Sequence, residues 1–143
     1  RTMKLQARLR GAQAGFSLIE ILLVLVLIAF VATMVAQNVF GRREAANVNA
    51  AKAAVKKVAS AVDTYYLETG SFPAKIEDLV TRPGNAGTWN GPYLTESQIK
   101  DPWGTPYTLK VPGESGRPYE VISLASDKAP GGKDNAADIN NWQ

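Results

Sequence analysis

The chain has 143 residues, enough for one domain of ordinary size, with 16 basic and 13 acidic residues and a net charge of +3. It contains no Cys and no His, which excludes disulfide staples and removes most nucleophile, base and zinc-site chemistry. Arg1, Lys4, Arg8 and Arg10 precede Gly15 without an acidic partner, leaving 12 basic against 13 acidic residues and a balance of −1 thereafter. The positive charge therefore belongs to a short leader, and no basic face for nucleic acid is indicated.

Residues 1–15 read as a basic segment closing on small residues, Gly11-Ala12-Gln13-Ala14-Gly15. An ordinary secretory signal is cut after its apolar stretch, whereas here the small residues come before it. Cleavage after Gly15 leaves the apolar stretch on the mature chain. Residues 16–36 form that stretch, with Glu20 as its one charge. As a helix, its 21 residues span about 31 Å, close to the roughly 30 Å hydrocarbon core of a bilayer. The basic leader predicts a cytoplasmic N-terminus and an exported C-terminus.

Residues 44–67 lack Gly and Pro and are rich in Ala, Lys and Glu. Val48, Val55, Val58, Val62, Tyr65 and Tyr66 fall on one stripe, so the helix is expected to continue as an amphipathic half with one buried face. Gly41 is a weak point between the halves, Gly70 suits a C-cap, and Pro73 prevents resumption. The membrane half is expected to run unbroken through Ala29 and Gln37. A short helical turn is expected over residues 76–80 and an irregular loop over 81–92. Residues 107–111 and 119–124 alternate as two strands of an antiparallel hairpin laid on the helix, with a turn between them. The expected fold class is α+β. Its parts are a leader at 1–15, a membrane segment at 16–40 and a head at 41–143 that includes the second half of the helix.

Gly15-Phe16-Ser17-Leu18-Ile19-Glu20, heading an apolar run, closely resembles the type IV prepilin cleavage motif. The resemblance implies that a membrane aspartyl peptidase cuts between Gly15 and Phe16 and that Phe16 is then N-methylated. A carboxylate inside an apolar span is costly and marks function. The resemblance implies that Glu20 meets the N-terminal amine of a neighbouring subunit in a filament. Such a pair penalises misaligned registers, because any slip strands both charges.

Asp101-Pro102-Trp103-Gly104-Thr105-Pro106-Tyr107 reads on its own as a rigid loop, fixed by two prolines, a turn glycine and aromatic anchors. It resembles a signature of the type II secretion major pseudopilins, as does Thr69-Gly70-Ser71-Phe72-Pro73. Asp127, Asp134 and Asp138 stand in a Gly-rich loop with few core-forming residues. A solvated acidic turn and a calcium loop both fit that composition. The resemblance to major pseudopilins implies a calcium site, with Asp127 and Asp134 as acidic ligands and backbone carbonyls near Leu124 and Ala136. Asp138 is a further candidate. Lys128 and Lys133 lie inside the same loop and oppose cation binding.

The function so implied is that of a structural subunit, not an enzyme. It polymerises into a periplasmic pseudopilus that drives type II secretion. A type IV pilin and a minor pseudopilin are the alternatives. Expected partners are further copies of the chain, the prepilin peptidase and N-methyltransferase, minor pseudopilins, the inner-membrane assembly platform, and membrane lipid before assembly.

Overall fold

The computed structural model describes residues 15–143. The rest of the expected leader lies outside the described residues. The elements in chain order are α1 (Leu18–Thr69), the 3-10 turn η1 (Ile76–Leu79), β1 (Thr108–Lys110), β2 (Glu120–Ser123), the 3-10 turn η2 (Asp134–Ala136) and β3 (Ile139–Asn140). Helix α1 contains Ala29, Gln37 and Gly41, so none of these interrupts it. A helical glycine costs only about 1 kcal/mol, which the flanking good helix formers offset. The helix ends where Gly70 turns to φ +77. Its N–H donates to the Tyr66 carbonyl at 2.8 Å, a left-handed cap that a Cβ would strain.

Two compact units divide between Val39 and Phe40. In the first, α1 is exposed at every position from Leu18 to Val39. Among the described residues, α1 is the one helix long and apolar enough to cross a membrane.

The second unit, Phe40–Gln143, has its core on one stripe of α1. Ala51, Val55, Val58, Val62 and Tyr65 are buried there against Leu79, Leu94, Tyr107, Tyr119, Val121 and Ile139. Full burial of a valine or leucine contributes about 1.5–3 kcal/mol, so these few residues dominate the stability of the head. Ala51, Ala59 and Ala61 are buried beside the valines and let the head approach the helix closely. Val48 is half-buried at the edge. Tyr66, expected on the same stripe, stays 43% exposed. It lies in the last turn and stacks on Phe72 with ring centroids 4.4 Å apart.

The expected hairpin forms as β1 and β2, antiparallel, with Leu109 opposite Val121. The strands are shorter than the alternation suggests. Tyr107 instead donates its N–H to Ile99, and Val111 is exposed where the chain turns. The third strand, β3, was not expected; it pairs antiparallel with β2, placing Ser123 opposite Ile139. The order β1-β2-β3 makes β2 central. All four of its residues are buried, against the one-sided burial its alternation implies. Val121 joins the helix-facing core, while Glu120 is paired with Arg117 at 3.2 Å. Gly113 packs so near that a Cβ there would lie 2.9 Å from the Glu120 Cγ.

Leu79, the last residue of η1, is fully buried in the core formed on the helix stripe. Leu79→Ala should therefore lower the unfolding free energy of the head by about 2–5 kcal/mol in urea titration of the detergent-solubilised chain. A change below about 0.5 kcal/mol would show that this core does not hold the head.

Candidate functional site

Three places carry the chemistry. The first is the start of α1. Phe16 is 85% exposed, and Ser17 precedes the first helical turn. The Ser17 N–H donates to the Glu20 Oε2 at 3.0 Å, and the Ser17 carbonyl accepts from Ile21. Glu20, the third helical residue, thus reaches back over the helix N-terminus as one half of a capping box. The positive end of the helix dipole favours a carboxylate at this place. Phe16, Glu20, Leu23 and Val24 border one shallow depression of about 460 Å³. The carboxylate is therefore held beside Phe16, the residue whose amine cleavage would create. The capping role was missed in the sequence reading, although Ser-x-x-Glu before an apolar run signals it.

The second place is the loop at residues 101–107. Sequence reasoning assigned its rigidity to prolines and aromatics; the structure adds a buried carboxylate. Asp101 is 5% exposed. Its Oδ1 accepts the Thr105 N–H at 2.8 Å and the Trp103 N–H at 3.1 Å. Its Oδ2 accepts the Ser123 hydroxyl at 2.8 Å. Charge-assisted bonds of this kind are about twice as strong as neutral ones, and three of them offset the desolvation of the carboxylate. The Ser123 Oγ in turn accepts the Ala125 N–H at 3.3 Å, tying the loop to the start of the C-terminal segment. The indole N–H of Trp103 donates to both Glu44 oxygens, at 3.1 and 3.3 Å, fastening the loop to α1.

The third place is the C-terminal loop. Asp127 Oδ1 accepts the Ala129 N–H. Its Oδ2 and the Ala136 carbonyl oxygen both border the spot where a Gly132 Cβ would stand, 2.9 and 2.1 Å from it. Gly132 has φ +85, so this close approach of oxygens requires glycine twice over. Asp138 exchanges two bonds with Gly131, its N–H to the carbonyl and its Oδ2 from the N–H, each 3.0 Å. The Asp138 Oδ1 is buried without a hydrogen-bond partner. Asp134, exposed at φ +53, opens η2, and Leu124 follows β2 half-buried. The structure therefore gathers Asp127, Ala136 and Asp138 around Gly131 and Gly132. Among the described residues no three acidic side chains converge enough to hold a metal alone. The oxygens around Gly132 include the Ala136 backbone carbonyl as well as the Asp127 carboxylate.

Residues 38–142 match the family described as type II secretion system protein G, and residues 10–36 match the prokaryotic N-terminal methylation motif. The chain belongs to the type II secretion system protein G family. It is a major pseudopilin, a subunit of the pseudopilus used in secretion. The core protein G of Xanthomonas campestris pv. campestris is 41% identical over 130 residues, covering 91% of this chain and 90% of that one. That of Pseudomonas aeruginosa is 40% identical over 139 residues, covering 93% and 97%. The fold resembles that of the major pseudopilin of enterohaemorrhagic Escherichia coli, with a TM-score of 0.53 at 23% identity, over 73% of this chain and 94% of that one. The pilin-like pseudopilin fold expected from the motifs is thus the fold found.

Tyr65, Tyr107 and Tyr119 of this pseudopilin head are buried, and the last two are shifted most. Burial, and then the nearby Asp101, push Tyr107 up to about 12, and its hydroxyl has no partner. Burial, and then the hydrogen bond to Asp63, raise Tyr119, whose hydroxyl donates to Asp63 at 2.7 Å. A raised folded value means that the neutral form is favoured by folding. Its stabilisation is complete below about pH 10 and is lost as the pH rises through about 12. Alkaline titration followed by phenolate absorbance and circular dichroism should show Tyr107 ionising together with loss of the head fold; ionisation near pH 10 with the fold intact would contradict its burial.

Proposed function

We propose that this pseudopilin is cut between Gly15 and Phe16, N-methylated on Phe16, and held in the inner membrane by residues 16–40 with its head in the periplasm. From there it polymerises with further copies of itself, alongside minor pseudopilins and the inner-membrane assembly platform. The observation that carries the reading is the Glu20 carboxylate poised over the helix N-terminus beside Phe16. In the isolated chain, Glu20 accepts from a backbone N–H. In the filament, the methylated amine of a neighbour takes that role as a charged donor. The exchange replaces a local cap by an intermolecular pair, so register is enforced only where a second subunit is correctly placed.

Glu20→Leu should leave insertion and processing unchanged, with mass spectrometry showing a chain that starts at a methylated Phe16. It should abolish most filament assembly and secretion, because the neighbour's amine is left unpaired in an apolar core. Normal filaments from the processed variant would overturn the register role.

We further propose that calcium is bound by the C-terminal loop, through Asp127, Asp134 and Asp138 with the carbonyls of Leu124 and Ala136. The fit rests on the unpartnered buried Asp138 Oδ1 and on the oxygens crowded around Gly132. A divalent cation supplies the positive charge that such clustered oxygens lack, and a flexible mixed set of carboxylates and carbonyls suits calcium better than magnesium. The chain's own residues shape the loop. Gly131 and Gly132 let the backbone fold inward, and the bonds from Gly131 fix Asp138. Ion binding to the folded state adds about 2.7 kcal/mol at a hundredfold excess over Kd. Calcium should raise the melting temperature of the head by roughly 10 °C over the value in chelator. Asp127→Ala and Asp138→Ala should each remove most of that rise. Equal melting with and without calcium would reduce the loop to a solvated acidic turn.

A further inference from the structure

Beyond its apolar stretch α1 carries three consecutive charges, Arg42, Arg43 and Glu44, of which the last two are opposite in sign. Ion pairs among the described residues form at Lys110–Glu114 and Arg117–Glu120, and neither Arg43 nor Glu44 joins them. Both line an open groove of about 720 Å³, together with Phe40, Asn47, Trp103 and Asn135. The groove thus offers a cation, an anion, two amide side chains and an aromatic wall. Glu44 is held in place by the indole N–H of Trp103, which reaches both of its oxygens.

We propose that this groove binds the headgroup of a phospholipid that carries both a phosphate and a primary ammonium, phosphatidylethanolamine. It rests on the membrane-anchored reading of residues 16–40. Arg43 takes the phosphate, for which a guanidinium is the side chain of choice. Glu44 takes the ammonium, which supplies three donors to the carboxylate and the amide oxygens of Asn47 and Asn135. Phe40 is 68% exposed and lies at the apolar end of the groove, where the first methylenes of the acyl chains would run.

Depth agrees with this. Phe40 is the last residue of the expected membrane segment 16–40, and Arg43 follows it by about 4.5 Å along the helix. The headgroup layer is about 5–7 Å thick on each side of the hydrocarbon core. Charge selects among lipids. An anionic headgroup without an amine would satisfy Arg43 and be repelled by Glu44. A choline headgroup has no N–H to donate to Glu44. Phosphatidylethanolamine alone among these answers both charges.

The test is zero-length carbodiimide coupling, which joins a carboxylate to an amine in contact with it. The full chain is placed in nanodiscs of phosphatidylcholine containing a minority of phosphatidylethanolamine, coupled, digested and analysed by mass spectrometry. The peptide containing Glu44, whichever residue it begins at, should carry a phosphatidylethanolamine adduct, its yield being taken relative to the unmodified peptide of the same variant. Arg43→Ala should reduce its yield about tenfold, the scale of one lost charge-assisted hydrogen bond. Arg42→Ala, a neighbouring cation that does not line the groove, should leave the yield unchanged. An adduct undiminished in Arg43→Ala overturns the site, as does a chain that enters the disc without forming one. Coupling of Glu44 to a lysine of a second copy in place of lipid also overturns it and makes the groove a subunit contact. A chain that fails to enter the disc removes the anchoring reading itself, and the headgroup site falls with it.

Discussion

One helix has to serve two solvents. Up to Val39, α1 exposes apolar side chains on every side, which only lipid or the packed core of a filament can cover. From Ala51 onward the same helix buries a stripe of alanine and valine under the head. The head depends on that stripe, since its short strands and two 3-10 turns cannot bury a core without the helix as a wall. The apolar segment and the helical wall of the head thus belong to one uninterrupted helix.

The head is short of regular structure, and it has no cysteine. Its long loops are instead held by buried polar groups with several partners each. Asp101 joins three donors from two segments. Tyr119 ties the sheet to α1 through Asp63 and the Ala59 carbonyl. Asn141 closes the C-terminus by exchanging bonds with Val121, and Arg117 lies 4.0 Å from the centre of the Trp142 ring. Such networks are directional, so they specify one arrangement of loops where an apolar core of this size would admit several.

The same network connects the loop at residues 101–107 with the start of the C-terminal loop and with α1. The Ser123 hydroxyl touches both Asp101 and the backbone at Ala125, one residue after Leu124, where the C-terminal loop begins. Trp103 then links the Asp101 loop to Glu44 at the base of the head. A loop ordered or loosened at the C-terminus therefore has a short chain of direct contacts to the part of the helix nearest the apolar segment.

The sequence by itself determined the elements whose signal is local. The apolar run, the glycine stop at Gly70 and the two alternating strands each occupy a stretch of consecutive residues governed by backbone geometry and solvent. The family was legible for the same reason, since its motifs are contiguous. Tertiary structure decided what depends on residues far apart. The pairing of Ile139 with Ser123 made β2 central and buried both of its faces, which a two-residue strand cannot announce. The place of Tyr66 depended on how far the head extends along α1. Asp101 was visible as a turn residue, but its bond to Ser123 joins positions 22 apart. In the C-terminal loop, sequence supplied the acidic residues, while folding brought the Ala136 carbonyl and Asp127 together over Gly132 and left Asp138 Oδ1 without a partner. Hydrophobic patterning records which side of an element faces the core; it carries no record of which distant polar group a buried oxygen will meet.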